Sequence, residues 1–136
     1  MTTERVEHMA GGQGHTLVKR LLDEKQLNGK CKLYAQVTLE PGCSLGYHEH
    51  HNESETYYIL SGKGIYSDNG TLRMVQAGDV TFTPDGKGHG LTNSGDEDLV
   101  FMALIILAAV RLFGKRLGRR WQYYVWLLVV CRHRQK

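Results

Sequence analysis

The chain predicts an all-β domain built as a sandwich or barrel, and three observations carry that expectation. Apolar residues alternate with polar ones along short runs, glycine-bearing turns separate the runs at regular spacing, and an Asn-Gly pair joins two of them. With 136 residues and no internal repeat, the chain fits one domain with a single closed core.

Residues 1–30 carry turn and helix signals. Gly11, Gly12 and Gly14 precede Leu17, Val18, Leu21 and Leu22, and the stretch ends at Asn28-Gly29, which predicts an entry strand or helical turn joining the barrel. From Cys31 to Leu39 the apolar residues are Cys31, Leu33, Ala35, Val37 and Leu39, a period of two that marks a strand with one buried face. Pro41-Gly42 ends it. Thr56 to Leu60 is a β-branched and aromatic run, and Ile65–Ser67 and Leu72–Val75 flank Asp68-Asn69-Gly70 as a tight hairpin. Gly78-Asp79 turns the chain into Val80–Thr83, Pro84-Asp85-Gly86 turns it again, and Leu99 to Leu107 closes the domain with a strongly apolar strand. The expected organisation is therefore an N-terminal segment at 1–30, a barrel at 31–107 and a tail at 108–136.

Two spaced patterns carry the chemistry. The first is Gly42-x5-His48-x-His50-x4-Glu55-x6-Gly62, and the second is Gly78-x5-Pro84-x-Gly86-x2-His89-x3-Asn93. His48 and His50 are two apart on an extended segment, so they leave one face of the sheet about 7 Å apart and converge on one point. Glu55 has the opposite parity, which requires His51-Asn52-Glu53-Ser54 to turn the chain before Glu55 points inward. Three imidazoles and one carboxylate are most economically the ligands of a single divalent metal ion. Manganese, iron, cobalt, nickel, copper and zinc all suit this donor set. Of the remaining histidines, His51 has outward parity, and His8, His15 and His133 match neither pattern and are expected in solvent. Inward parity from Glu55 gives Tyr57 and Ile59 as pocket walls. Phe82 and Leu91 are similar candidates, and Leu33, Ala35 and Val37 add apolar surface. Tyr47, Tyr57, Tyr58 and Tyr66 are the phenols available to orient a ligand or donate a proton. Gly42, Gly62, Gly78 and Gly86 stand where the chain must turn sharply, and Asn93 is placed to brace a turn.

The two patterns resemble both signature motifs of the cupin superfamily, matched at every defining position over roughly residues 31–107. The resemblance implies a double-stranded β-helix, or jelly-roll, barrel with one metal held by His48, His50, Glu55 and His89. It also implies a homodimer, for which an open sheet edge gives a physical motive. Cupins share the barrel and differ in chemistry, so the resemblance does not select a reaction.

Charge divides the chain. Residues 1–107 hold 9 Lys or Arg against 14 Asp or Glu, a net of −5, whereas residues 108–136 hold 8 basic residues and no acidic one. An acidic barrel offers no electrostatic footprint for nucleic acid, and residues 1–30 are too short for a helix-turn-helix. The apolar run from Tyr123 to Cys131 is far below the roughly 20 residues that span a membrane. Its basic and aromatic setting allows contact with a membrane surface or with a partner, and the abrupt loss of acidic residues also fits a tail outside the selected fold. Cys31, Cys43 and Cys131 form no CxxC pair, and the polar N-terminus resembles no secretory signal, which together suggest the cytoplasm. Two functions follow. One is a metal-dependent enzyme on a small oxygen-bearing molecule, of dioxygenase, decarboxylase, isomerase or lyase type, with Glu55 as both ligand and proton shuttle. The other is a barrel that binds or senses a small molecule without turnover.

Overall fold

The computed structural model describes residues 1–108, and the tail with its proposed membrane-surface contact lies outside the described residues. Among the described residues, ten strands form two antiparallel sheets. They are β1 (Thr3–Glu7), β2 (His15–Arg20), β3 (Cys31–Leu39), β4 (Ser44–Glu49), β5 (Glu53–Ser61), β6 (Lys63–Asp68), β7 (Thr71–Gln76), β8 (Val80–Thr83), β9 (Gly88–Thr92) and β10 (Leu99–Leu107). The larger sheet has the order β1-β2-β3-β10-β5-β8, and the smaller β4-β9-β6-β7. The order places sequence-distant strands side by side, as when β10 lies between β3 and β5, and this is the jelly-roll arrangement.

The alternation read from the sequence is the alternation of burial. Along β3 the inward residues Ala35, Val37 and Leu39 are buried, and along β10 Leu99, Phe101 and Ala103 are buried opposite them. Ile59 of β5, Tyr66 of β6, Val75 of β7 and Leu91 of β9 complete the core between the sheets. Each fully buried side chain of this size contributes about 1.5–3 kcal/mol of transfer free energy before entropy is counted.

Residues 1–30 do more than enter the barrel. β1 and β2 extend the larger sheet, and a 3-10 turn at Met9–Gly11 lies against β4. That approach depends on Gly46, where a Cβ would collide with the Ala10 carbonyl. A one-turn helix, α1 (Glu24–Leu27), follows β2. Asp23 caps it by accepting from the Gln26 backbone at 2.7 Å while the Gln26 side chain accepts from the Asp23 backbone.

The predicted turns are present. Asn69 and Gly70 both have positive φ, 50° and 95°, the signature of the two-residue turn that suits a twisted hairpin. The chain reverses earlier than expected before Glu55. Asn52, at φ 63°, makes the turn, and Glu53 already belongs to β5. Glu53, Glu55, Tyr57 and Ile59 therefore share the inward face.

Candidate metal centre

The barrel brings together all four residues picked out by spacing. His48 on β4 and His89 on β9 are direct cross-strand partners in the smaller sheet. His50 follows β4 and is fixed by its backbone, which accepts from Gly86 N at 2.7 Å and donates to Lys87 O at 2.9 Å. Glu55 comes from β5 in the facing sheet. The Nε2 atoms of His50 and His89 lie 2.8 and 2.9 Å from Glu55 Oε2, and that of His48 lies 3.7 Å away. His89 Nε2 is 3.0 Å from His50 Nε2 and 3.2 Å from His48 Nε2.

The shorter of these separations suit donors around one divalent ion, and all four donor atoms lie within 4.8 Å of one another. Donors about 2.1 Å from a common metal lie roughly 3.0 Å apart at neighbouring octahedral positions and roughly 3.4 Å apart in a tetrahedron. The tautomers point the same way, because each Nδ1 faces an oxygen outside the cluster. His48 Nδ1 donates to the Gly46 carbonyl at 2.9 Å, His50 Nδ1 lies 3.4 Å from Glu53 Oε2, and His89 Nδ1 lies 3.0 Å from Tyr66 Oη. Tyr66 is in turn 2.9 Å from Thr83 Oγ1, so it can accept from His89 and donate to Thr83. In the tautomer that keeps the hydrogen on Nδ1, each Nε2 would present a lone pair to the centre, an arrangement that a bound cation would stabilise.

Electrostatics agree. Burial alone would push the Glu55 carboxyl up, but the three imidazoles grouped around it outweigh burial and hold the group well below the ordinary carboxylate range. The Glu55 hydrogen bond raises His50 against the opposing effect of burial, whereas burial dominates at His89 and lowers it. Tyr57 Oη donates to Glu55 Oε2 at 3.3 Å, and its ring stacks on His89 at 4.7 Å between centroids. Burial, followed by the Glu55 charge, raises its phenol well above the usual value.

The cluster opens into a cavity of about 400 Å³, at the small end of ligand pockets. His48, His50, Glu55 and Tyr57 face it. Leu33, Val37, Phe101 and Ile105 form apolar wall, Met9 and Ala10 lie across it, and Arg20 and Lys32 stand at the rim. Three wall expectations need correction. Phe82 is 55 % exposed on the opposite face of its sheet, because Thr81 and Thr83 take the inward positions of β8. Ile59 and Leu91 point inward but are fully buried in the core and do not line the cavity.

Other residues take roles that spacing did not show. Glu53 bridges Lys32 Nζ at 3.0 Å and His50, a role signalled by its parity with Glu55. Arg20 and Lys32 come from outside both motifs. His15 is not in solvent, since its Nε2 is 3.0 Å from Glu40 and its Nδ1 4.0 Å from Cys43 Sγ. His51 does point outward, toward Glu49, and Asn93 braces a turn through Leu39 O, Glu97 O and Gly95 N.

The barrel and its cluster define a cupin. A family model described as Cupin domain matches residues 35–106, and the chain belongs to that family. Over 107 residues it is 44 % identical to an oxalate-binding protein of Thermotoga maritima, covering 79 % of this chain and 88 % of that one. Over 75 residues it is 41 % identical to an oxalate decarboxylase of Bacillus subtilis, which spans 52 % of this chain but only 20 % of that longer protein. Among solved structures, a predicted oxalate decarboxylase from Thermotoga maritima superposes with a TM-score of 0.77 at 44 % identity, over 79 % of this chain and 93 % of the other. A Cupin 2 conserved barrel domain protein from Salinispora arenicola gives 0.61 at 30 % identity, over 74 % and 84 %.

Proposed function

We propose that this chain holds one divalent transition metal through His48, His50, Glu55 and His89 and uses the site to bind a small dicarboxylate of the oxalate class. The observation that carries the reading is the convergence of three Nε2 atoms and one carboxylate oxygen beside a largely apolar cavity. A divalent ion held by these donors supplies Lewis acidity and free coordination positions suited to a chelating carboxylate. The protein supplies the rest. A single ligand carboxylate would leave the centre at a formal +1, the apolar wall favours a compact anion over a large polar one, and Arg20 and Lys32 also line the cavity, paired with Glu4 and Glu53. The similarity to an oxalate-binding protein over most of both chains supports the same class of ligand.

Turnover is the second reading, and Tyr57 is the observation that favours it. Its hydroxyl lies beside Glu55 on the cavity wall, where it is placed to pass a proton toward a bound anion. Binding without turnover has the stronger support, because the cavity's carboxylates are already committed. Glu55 meets the three histidines, Glu53 is tied to Lys32 and His50, and Glu49 pairs with His51. The test is calorimetric titration of metal-loaded protein with oxalate, beside His50→Ala and an assay for formate and carbon dioxide. Binding that needs the metal and is lost in His50→Ala, without formate, is the expected result. Formate release would establish the enzyme reading, and metal-loaded protein indifferent to oxalate would overturn the ligand class.

A further inference from the structure

One part of the cavity wall is not a strand. The other apolar lining residues, among them Leu33, Val37 and Phe101, sit on strands of the barrel, whereas Met9 and Ala10 come from the loop 8–14 between β1 and β2, outside both motifs. That loop is tied down at several points. His8 N donates to Gly14 O at 2.9 Å and closes it, and Gly12 N donates to Met9 O at 3.0 Å within it. Gln13 N donates to Ser44 Oγ at 2.8 Å while Ser44 N donates to Gln13 O at 2.9 Å, which fastens the loop to β4. The two backbones approach so closely that a Cβ at Gly12 would strike the Ser44 carbonyl, and one at Gly46 the Ala10 carbonyl. His8 and Ala10 have φ of 49° and 52°, a left-handed conformation that is strained for residues other than glycine and persists where the surroundings over-determine it. Antiparallel strands need only a tight turn to join them, so a longer loop that is both docked and strained serves more than the connection. What it achieves is to set Met9 against the core and the cavity at once.

We infer that Met9 determines the size of ligand the cavity admits, selecting a two-carbon dicarboxylate over longer ones. The dicarboxylate class rests on the function proposed above, and the size limit rests on the loop itself. The strand residues of the wall are held by sheet register, and Ala10 has no side chain beyond Cβ. Met9 is therefore the side chain that sets the remaining space. An unbranched thioether is suited to that task, because it fills irregular gaps and its length can change without disturbing a strand. In an apolar pocket each methylene of misfit is worth roughly 10- to 200-fold in discrimination, so the difference between Met and Ala at this position is large enough to choose between chain lengths.

The test compares wild type with Met9→Ala, Met9→Leu and Met74→Ala, each loaded with cobalt(II) and checked for folding by circular dichroism. Met74 is exposed on β7 of the smaller sheet and serves as the control for losing a methionine elsewhere. Two pairs of probes are titrated: oxalate against succinate by calorimetry, and imidazole against phenylimidazole by the visible spectrum of the ion. The expected result is that Met9→Ala shifts both ratios toward the larger probe by about 10-fold or more, while Met9→Leu, which keeps the bulk, and Met74→Ala retain the wild-type ratios. The second pair separates this inference from the ligand class. If neither dicarboxylate binds but phenylimidazole enters Met9→Ala and not wild type, the oxalate reading falls and the role of Met9 stands. Unchanged discrimination in folded Met9→Ala overturns the inference, as does a relaxation that Met9→Leu or Met74→Ala shows equally, or a cobalt-loaded protein that takes no probe of either pair.

Discussion

Each histidine of the cluster is aimed by a different oxygen, and this makes the supporting residues as testable as the ligands. Glu53 faces His50 Nδ1 and Tyr66 faces His89 Nδ1. Replacing such a partner leaves the ligand in place but frees its ring and tautomer, which typically weakens metal affinity 10- to 100-fold, here expected to be about 10-fold or more. Competition titration with a chromophoric chelator should therefore rank wild type above Tyr66→Phe and Glu53→Gln, with His51→Ala unchanged, because His51 is exposed and outward. Equal affinities throughout would reduce the Nδ1 contacts to packing. The clustering of His48, His50, Glu55 and His89 was legible from spacing, since Gly42, Gly62, Gly78 and Gly86 stand at the turns that set their registers and all four glycines adopt positive φ. The supporting shell was only half legible. Glu53 shares parity with Glu55, but the Gly46 carbonyl and the rim cations Arg20 and Lys32 belong to contacts between segments that no local pattern records.

Strands were read well wherever one face is apolar and the other polar, as in β3, whose bounds Cys31–Leu39 match the alternation. β8 failed for a physical reason. Its inward positions are Thr81 and Thr83, its outward ones Val80 and Phe82, so the usual rule assigns its faces backwards. Inversion of this kind arises when a sheet's outer surface is apolar too. Turns carry an equally local cost. Gly62 joins β5 to β6 at φ 81°, and a Cβ there would also strike the Asp98 carbonyl of the neighbouring turn. Gly62→Ala combines left-handed strain with a backbone clash and should destabilise the barrel by about 2–4 kcal/mol in urea unfolding. Gly70→Ala, at φ 95° but with open space around it, should cost less, on the order of 1 kcal/mol. Equal losses at the two sites would show that conformation alone matters and that the Asp98 contact relaxes freely.

The four cluster residues come from both layers of the barrel. His48 and His89 belong to the smaller sheet and Glu55 to the larger, so one ion bound by all of them ties the sheets together across the core. In the unfolded chain His48 and His89 are 41 positions apart, and the closed site exists only when both sheets are in register. Metal affinity would then add to folding stability. At free metal 1,000 times the dissociation constant the linkage amounts to about 4 kcal/mol, which for a domain of this size raises the thermal midpoint on the order of 15 °C. Scanning calorimetry of chelated and metal-loaded protein should show that shift in wild type and in His51→Ala. It should be much smaller in Glu55→Gln, which keeps the shape of the side chain but removes the carboxylate from the larger sheet. A full shift in Glu55→Gln would mean that the three histidines hold the ion unaided, and that the smaller sheet alone, rather than the join between the sheets, is what the metal stabilises.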